Sequence, residues 1–196
     1  MMPPKPTLTI IAGPNGSGKS TFTRATQQAL QVPIIDPDQE ARQLRPDDLQ
    51  AAAILGGRQA IKRARAYLSN NESFAVETTL SGHTYLRMMA EVRQKGWQIY
   101  LIYVGIDNVE ISIERVATRV AQGGHNVPEE DIRRRYSRSL SNLSVAIEQA
   151  DRILIFDNST MEGYQQILTI ENGRVSQKAQ ELPEWLRYSL RPEFLE

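Results

Sequence analysis

The sequence contains no cysteine. That single absence excludes disulfides, zinc-thiolate centres and a thiol nucleophile together. It also lacks an excess of charge of either sign, because 23 Lys and Arg balance 23 Asp and Glu. The field of the whole molecule therefore gives no footprint for nucleic acid, and any basic site must be local. Aromatic residues are sparse, at 7%, which further disfavours a nucleic-acid partner. No run approaches the roughly 18 apolar residues that a membrane span requires, so no membrane partner is expected. The start, Met1-Met2-Pro3-Pro4-Lys5-Pro6, has no apolar signal-peptide region, and a reducing cytoplasm is the expected location. No internal repeat, low-complexity tract or linker divides the chain. With 196 residues and 40% hydrophobic composition, the expectation is one domain over 1–196, its core at 7–160 and a hairpin and helix at 161–196.

What the sequence does contain is an ordered alternation of apolar runs and helical stretches. Short runs at Thr7–Ala12, Val32–Ile35, Ser73–Val76, Trp97–Val104 and Arg152–Phe156 read as five strands. Helical patterns fall at Ser20–Leu30, about Pro46–Ser69 with Asp47 and Asp48 near its start, Tyr85–Lys95, Val109–Ala121 and Pro128–Ala150 as one helix or a pair. This alternation predicts right-handed βαβ units and a five-stranded parallel α/β sheet with helices on both faces. Asn172-Gly173 signals a two-residue hairpin, followed by a last helix at about Pro183–Leu190. In such folds ligands sit beyond the carboxyl ends of the strands, so the residues after each strand are the candidates for chemistry.

The first of those strand ends is the most informative. Thr7–Ala12 breaks into Gly13-Pro14-Asn15-Gly16-Ser17-Gly18-Lys19-Ser20, followed by Thr21. The octet satisfies the phosphate-loop pattern of Gly, four residues, then Gly-Lys-Ser or Thr. Glycines let successive N–H groups turn inward around a phosphate while the next helix directs its positive end at the same anion. Lys19 supplies a charge to the β- and γ-phosphates and Ser20 a hydroxyl to Mg²⁺, so Gly13 through Thr21 form the expected ATP-binding set.

Asp36-Pro37-Asp38 follows the second run. Phosphoryl transfer needs one carboxylate to orient or deprotonate the attacking hydroxyl. Asp38 is the candidate base, with Asp36 holding the turn, Mg²⁺ waters or substrate; the plainer alternative is that both cap the turn. Glu77-Thr78-Thr79 follows the third run, where an acidic residue either holds Mg²⁺ through water or binds substrate, or where Thr79 or Ser81 caps the next helix. Arg115 and Arg119 share a helix face, as do Arg134 and Arg138. Such a run usually forms a solvated face balanced by Glu129, Glu130 and Asp131, but here Gly123-Gly124 could hinge it as a lid. Arg119, Arg134 and Arg138 are then the candidates to neutralise transition-state charge. His125 in the lid turn is a candidate phosphate or substrate donor, and His83 a candidate wall of the acceptor pocket. Asp157-Asn158-Ser159 either contacts the adenine or caps the hairpin.

The ordered set Gly-Pro-Asn-Gly-Ser-Gly-Lys-Ser-Thr, Ile-Asp-x-Asp, Phe-Ala-x-Glu-Thr-Thr-Leu-Ser-Gly, Gly-Gly-His-x-Val-Pro, Arg-Arg-Tyr-x-Arg-Ser-Leu-x-Asn-Leu and Asp-Asn-Ser resembles the zeta-toxin-type phosphate-loop kinases. Within them it is similar to the short bacterial branch labelled predicted ABC-type ATPase, over about residues 7–160. The resemblance implies an ATP- and Mg²⁺-dependent kinase that phosphorylates a hydroxyl of a nucleotide sugar, UDP-N-acetylglucosamine. It places the base on Asp38, the loop lysine on Lys19, the acidic strand-end residue on Glu77 and γ-phosphate contacts on Arg134 and Arg138. An antitoxin protein is an implied partner. One position departs from the family, which carries an arginine near the lid turn where this chain has His125. Two other functions share the phosphate loop: a polynucleotide-end kinase, and a regulatory module that binds nucleotide without turnover.

Overall fold

The computed structural model describes residues 4–44, 49–124 and 126–195. Its framework is a sheet of seven strands in the order β2-β3-β1-β4-β5-β6-β7. The parallel part is β1 (Thr7–Ala12), β2 (Ile34–Ile35), β3 (Phe74–Thr78), β4 (Gln98–Gly105) and β5 (Arg152–Asp157). The expected five parallel strands are there, but they do not complete the sheet. The hairpin of β6 (Gln165–Glu171) and β7 (Arg174–Lys178) joins them antiparallel at β5, turning at Asn172-Gly173. The extension is physically natural, because the inner positions Ile167, Leu168 and Ile170 of β6 are buried in the same core as β5.

Helices cover the sheet unequally. On one face the buried residues of α3 (Leu49–Ser69), α4 (Thr84–Gln94) and α6 (Glu129–Gln149) join β1, β3, β4 and β5 in the main core. On the other, α1 (Lys19–Leu30) inserts Phe22 against Ile11, Ala75, Ile102 and Val104. A third, small cluster of Val116, Val127 and Ile132 sits where α5 (Val109–Ala121) meets α6. Glu129–Gln149 is one continuous helix, not a pair, with Pro128 and Ala150 as its caps. The C-terminal helix α7 is shorter than expected, Glu184–Arg187. Its Trp185 lies 5.9 Å from the Tyr103 ring and donates to Asp157 Oδ1 at 3.1 Å.

The main departure is at Asp36-Pro37-Asp38, where a turn was expected and a helix begins. α2 (Pro37–Leu44) places proline at its first position, where the missing N–H is no loss. Asp36 Oδ1 accepts the Asp38 N–H at 2.9 Å and thereby caps the helix. The buried Glu40 of α2 pairs with Arg63 of α3, tying the two helices together. The expected start of α3 at Pro46, Asp47 and Asp48 lies outside the described residues. Among the described residues, no helix is long and apolar enough to cross a membrane.

Candidate active site

Sheet order decides which strand ends meet. With β3 between β2 and β1, the register pairs Ile11 with Glu77 and Ile35 with Val76. Asp36, one residue past Ile35, therefore stands level with Glu77, with β3 between it and the phosphate loop. The loop itself runs from β1 into α1 with Gly13, Gly16 and Gly18 at φ values of 144°, 71° and 97°. The first turn of α1 carries no carboxylate, whereas those of α2, α5 and α6 do. Its positive end is therefore available to an external anion. Ser17 is fully buried, and neither its Oγ nor Asn15 Oδ1 has a protein hydrogen-bond partner. A buried polar atom without a partner is costly, so a ligand that bonds Ser17 Oγ would be bound with advantage.

Lys19 is buried at the base of the loop, where its Nζ donates to Pro14 O at 2.8 Å. Burial pulls its pKa down, and the Arg119 charge acts in the same direction; Glu77, Asp38 and Asp36 oppose them. Four charged groups thus act on the buried Lys19. Glu77 is 6% exposed and accepts from Ser20 Oγ at 2.6 Å and from Thr23 Oγ1 at 3.0 Å. Both hydroxyls come from α1, three residues apart, so one helix face presents them to one carboxylate. Thr23 was not singled out by motif, although its spacing from Ser20 was a usable signal.

Asp36 is half-buried, and its carboxyl is pushed up to about 6 by burial and by the charges of Glu77 and Asp38. Its own acceptance of the Asp38 N–H and Arg42 at 3.7 Å pull the other way. Asp38 lies exposed in the first turn of α2. Of the two carboxylates, Asp36 has the structural task.

The other expected residues divide. Thr78 Oγ1 accepts the Leu80 N–H at 3.0 Å, and Thr79 Oγ1 pairs with Ser81 Oγ at 2.9 Å, so both hydroxyls shape the turn after β3. Leu80 is buried with φ 56°, and its carbonyl accepts Asn142 Nδ2 of α6 at 2.7 Å, which fixes that turn to the helix. His83 is exposed at the N-terminal cap position of α4 and makes no side-chain cap there, nor does Thr79 or Ser81. Gly123 and Gly124 close α5 with a left-handed cap, their N–H groups bonding Val120 O and Arg119 O at 2.9 Å each. Arg119 is therefore held at the end of a capped helix. Arg134 lies on the solvent side, paired with Asp131 at 2.6 Å, and Arg138 is exposed on the same helix. His125 lies outside the described residues.

Four contacts to the loop come from residues outside the expected catalytic and binding set, one of them Arg115 Nη1 to Gly16 O at 3.4 Å. Ser112 Oγ donates to Asn15 O at 2.6 Å, Asn158 Nδ2 to Ser17 O at 2.8 Å, and Tyr164 OH to Gly18 O at 2.8 Å. Asn158 was flagged by its strand-end position, as an adenine contact or a hairpin cap. Ser112 and Tyr164 carry no local signal.

These features define an α/β phosphate-loop nucleotide-binding protein of kinase-like fold. A family model described as an AAA domain matches residues 8–139, and the chain belongs to that family. An uncharacterized protein of Haemophilus influenzae is 38% identical over 127 residues, covering 65% of this chain and 90% of its own. Among solved structures, AvrRxo1-ORF1:-ORF2 with ATP superposes with a TM-score of 0.68 at 16% identity, over 88% of this chain and 60% of the other. This chain thus spans about 60% of that structure's chain. The PezAT chromosomal toxin-antitoxin system of Streptococcus pneumoniae superposes with a TM-score of 0.65 at 17% identity, over 96% and 86% of the two chains. At these identities the structural likeness shows the fold.

Proposed function

We propose that the protein is an ATP-dependent small-molecule kinase of zeta-toxin type, transferring the γ-phosphoryl group to a hydroxyl of a nucleotide sugar of the UDP-N-acetylglucosamine class. The observation that supports this reading is Glu77 bonded to Ser20 and Thr23 just after the loop, with Asp36 and Asp38 following the strand paired to β3. A switch or motor needs a phosphate cradle and a cation site; an additional open carboxylate on the acceptor side suits a kinase. In this scheme the acceptor hydroxyl gives its proton to Asp38 as its oxygen bonds to the γ-phosphorus. The bridging bond to the β-phosphate breaks, and ADP leaves. Lys19 and Arg119 offset the charge on the transferring group, with Arg134 and Arg138 brought over it by the lid. Asp36, Thr78, Thr79, His83 and His125 are assigned to the acceptor side.

The residues fit Mg²⁺ held jointly with phosphate. Among the described residues, no group of three or more His, Asp or Glu could hold a metal alone, and Mg²⁺ characteristically shares one or two carboxylates with substrate phosphates. Ser20 and Glu77 would hold it. Bound there, the cation would neutralise charge on the β- and γ-phosphates.

We further read residues 1–196 as one kinase-like unit, because the hairpin continues the sheet and Trp185 seats on Tyr103. A protein partner of antitoxin kind is part of the proposal, supported by the PezAT system being a toxin-antitoxin pair. The test is incubation with ATP, Mg²⁺ and a panel of UDP-sugars, read by mass spectrometry for gain of one phosphate. Asp38→Asn is expected to cut the rate about 10²- to 10⁴-fold. Transfer by the variant at the wild-type rate would remove Asp38 as base, and phosphate appearing only on oligonucleotide ends would replace the substrate class.

A further inference from the structure

The phosphate loop is tied from outside, and the ties fall on particular atoms. Peptide groups are planar and trans, so the carbonyl of one residue points opposite to the N–H of the next. Fixing a carbonyl outward therefore fixes the following N–H inward. Ser112 holds Asn15 O and Asn158 holds Ser17 O, while Tyr164 adds a third donor to Gly18 O, which also accepts the Thr21 and Phe22 N–H groups at 3.0 Å each in the first turn of α1. Arg115 Nη1 reaches the remaining one, Gly16 O, at 3.4 Å. The amides so aimed belong to Gly16, Gly18 and Lys19, within the run whose N–H groups cradle phosphate in a loop of this pattern, while the Ser17 N–H bonds Pro14 O at 3.3 Å.

We propose that Ser112, Asn158 and Tyr164 are positioning residues for phosphate binding, acting through the loop carbonyls to aim the Gly16, Gly18 and Lys19 amides. This rests on the reading of the loop as the nucleotide phosphate site. The glycines of the motif supply independent support. A Cβ on Gly18 would lie 2.7 Å from both Asn158 Nδ2 and Tyr164 OH, and one on Gly16 would lie 2.9 Å from Ser112 O. Part of the reason for glycine at these positions is thus the approach of the residues that hold the loop, in addition to the approach of a phosphate. Tyr164 is itself fixed: its ring meets Phe22 edge-on at 5.4 Å. Burial raises the pKa of its hydroxyl, which keeps the proton that the hydrogen bond needs.

Preorganised donors bind an anion more tightly because they need no reorganisation when it arrives. The effect should therefore appear with phosphate alone. The probe is inorganic tripolyphosphate, which carries neither adenine nor acceptor, titrated calorimetrically into the full chain beside ATP. Tyr164→Phe removes one oxygen and Asn158→Ala one amide; each is expected to weaken tripolyphosphate and ATP by the same factor, about tenfold. The apo melting temperature should change little. In ¹⁵N spectra, the ligand-induced shifts of the Gly18 and Lys19 amides should shrink in both variants, a readout that general loosening elsewhere would not produce. Unchanged tripolyphosphate affinity in both variants overturns the proposal. So does a loss confined to ATP, which would place the two side chains on the nucleoside, and so does a wild type that binds no polyphosphate. Failure of the kinase test leaves this titration fully interpretable.

Discussion

The phosphate loop and the arginine-rich corner of α5 and α6 both depend on polar side chains, and they use them in opposite ways. Around the loop, Lys19, Glu77 and Thr23 are buried and Asn158 and Tyr164 half-buried, and apart from Lys19 to Pro14 O the bonds cross long sequence separations: Glu77 to Ser20 and Thr23, Asn158 and Tyr164 to the loop carbonyls. In the corner, Arg133 bonds Glu110 and Glu129, while Arg134 and Arg135 pair with Asp131 within one turn or so of their own helix. The first arrangement is worth its desolvation cost only if the geometry is exact, because a buried polar group left unbonded costs about 1–3 kcal/mol. The second is exposed, screened by salt and nearly neutral in energy. One fold thus holds a tightly bonded loop and a loosely paired charged surface.

This contrast can be broken most severely at Gly18. Gly18→Ala adds a Cβ in the left-handed region and against two anchoring side chains. It should cost about 1–3 kcal/mol in stability, measured by denaturant unfolding, and abolish ATP binding in the same titration used above. Retained affinity would mean that the cradle is not held as described.

A smaller effect is expected at the edge of the buried side, in the pH dependence of stability. The Asp36 carboxyl rises from 3.8 to about 6 on folding, so the native chain holds that proton more tightly than the unfolded one. Stability from this group is present below pH 4 or so and is lost as pH rises through about 6. Asp36→Asn should therefore stabilise by about 2 kcal/mol at pH 7.5 and by well under half of that at pH 4.5. A gain independent of pH would show that Asp36 ionises normally. The smallest effect belongs to the corner: Arg133→Ala, despite removing the bonds to Glu110 and Glu129, should leave the unfolding midpoint unchanged. A clear drop would mean that the corner is as rigidly built as the loop.

How much of this could be read from residues alone follows from range. The loop octet, the strand-end position of Glu77 and the Asn172-Gly173 turn are local patterns, and all were legible. The β2-β3-β1 order was not, because nothing in five similar apolar runs says which neighbours which. That order is what brings Asp36 and Asp38 to Lys19. α2 was missed for a local reason: Asp36-Pro37 was read as a turn, although an N-cap aspartate before a first-turn proline equally starts a helix. Ser112 and Tyr164 could not be found, since a lone serine in a helix or tyrosine before a strand has no pattern until the fold brings it to the loop.

The partners of that loop also set a timetable. Ser112 lies 97 residues beyond Asn15, Asn158 lies 141 beyond Ser17, and Tyr164 lies 146 beyond Gly18. During synthesis, the loop emerges first and waits for residues made about a hundred to a hundred and fifty positions later. Contacts of such sequence separation form late because they carry the largest loop-closure cost. A nascent or truncated chain ending before Asn158 would display the whole phosphate-loop sequence without the anchors that shape it. Competence to grip phosphate thereby depends on residues made about a hundred or more positions after the loop itself.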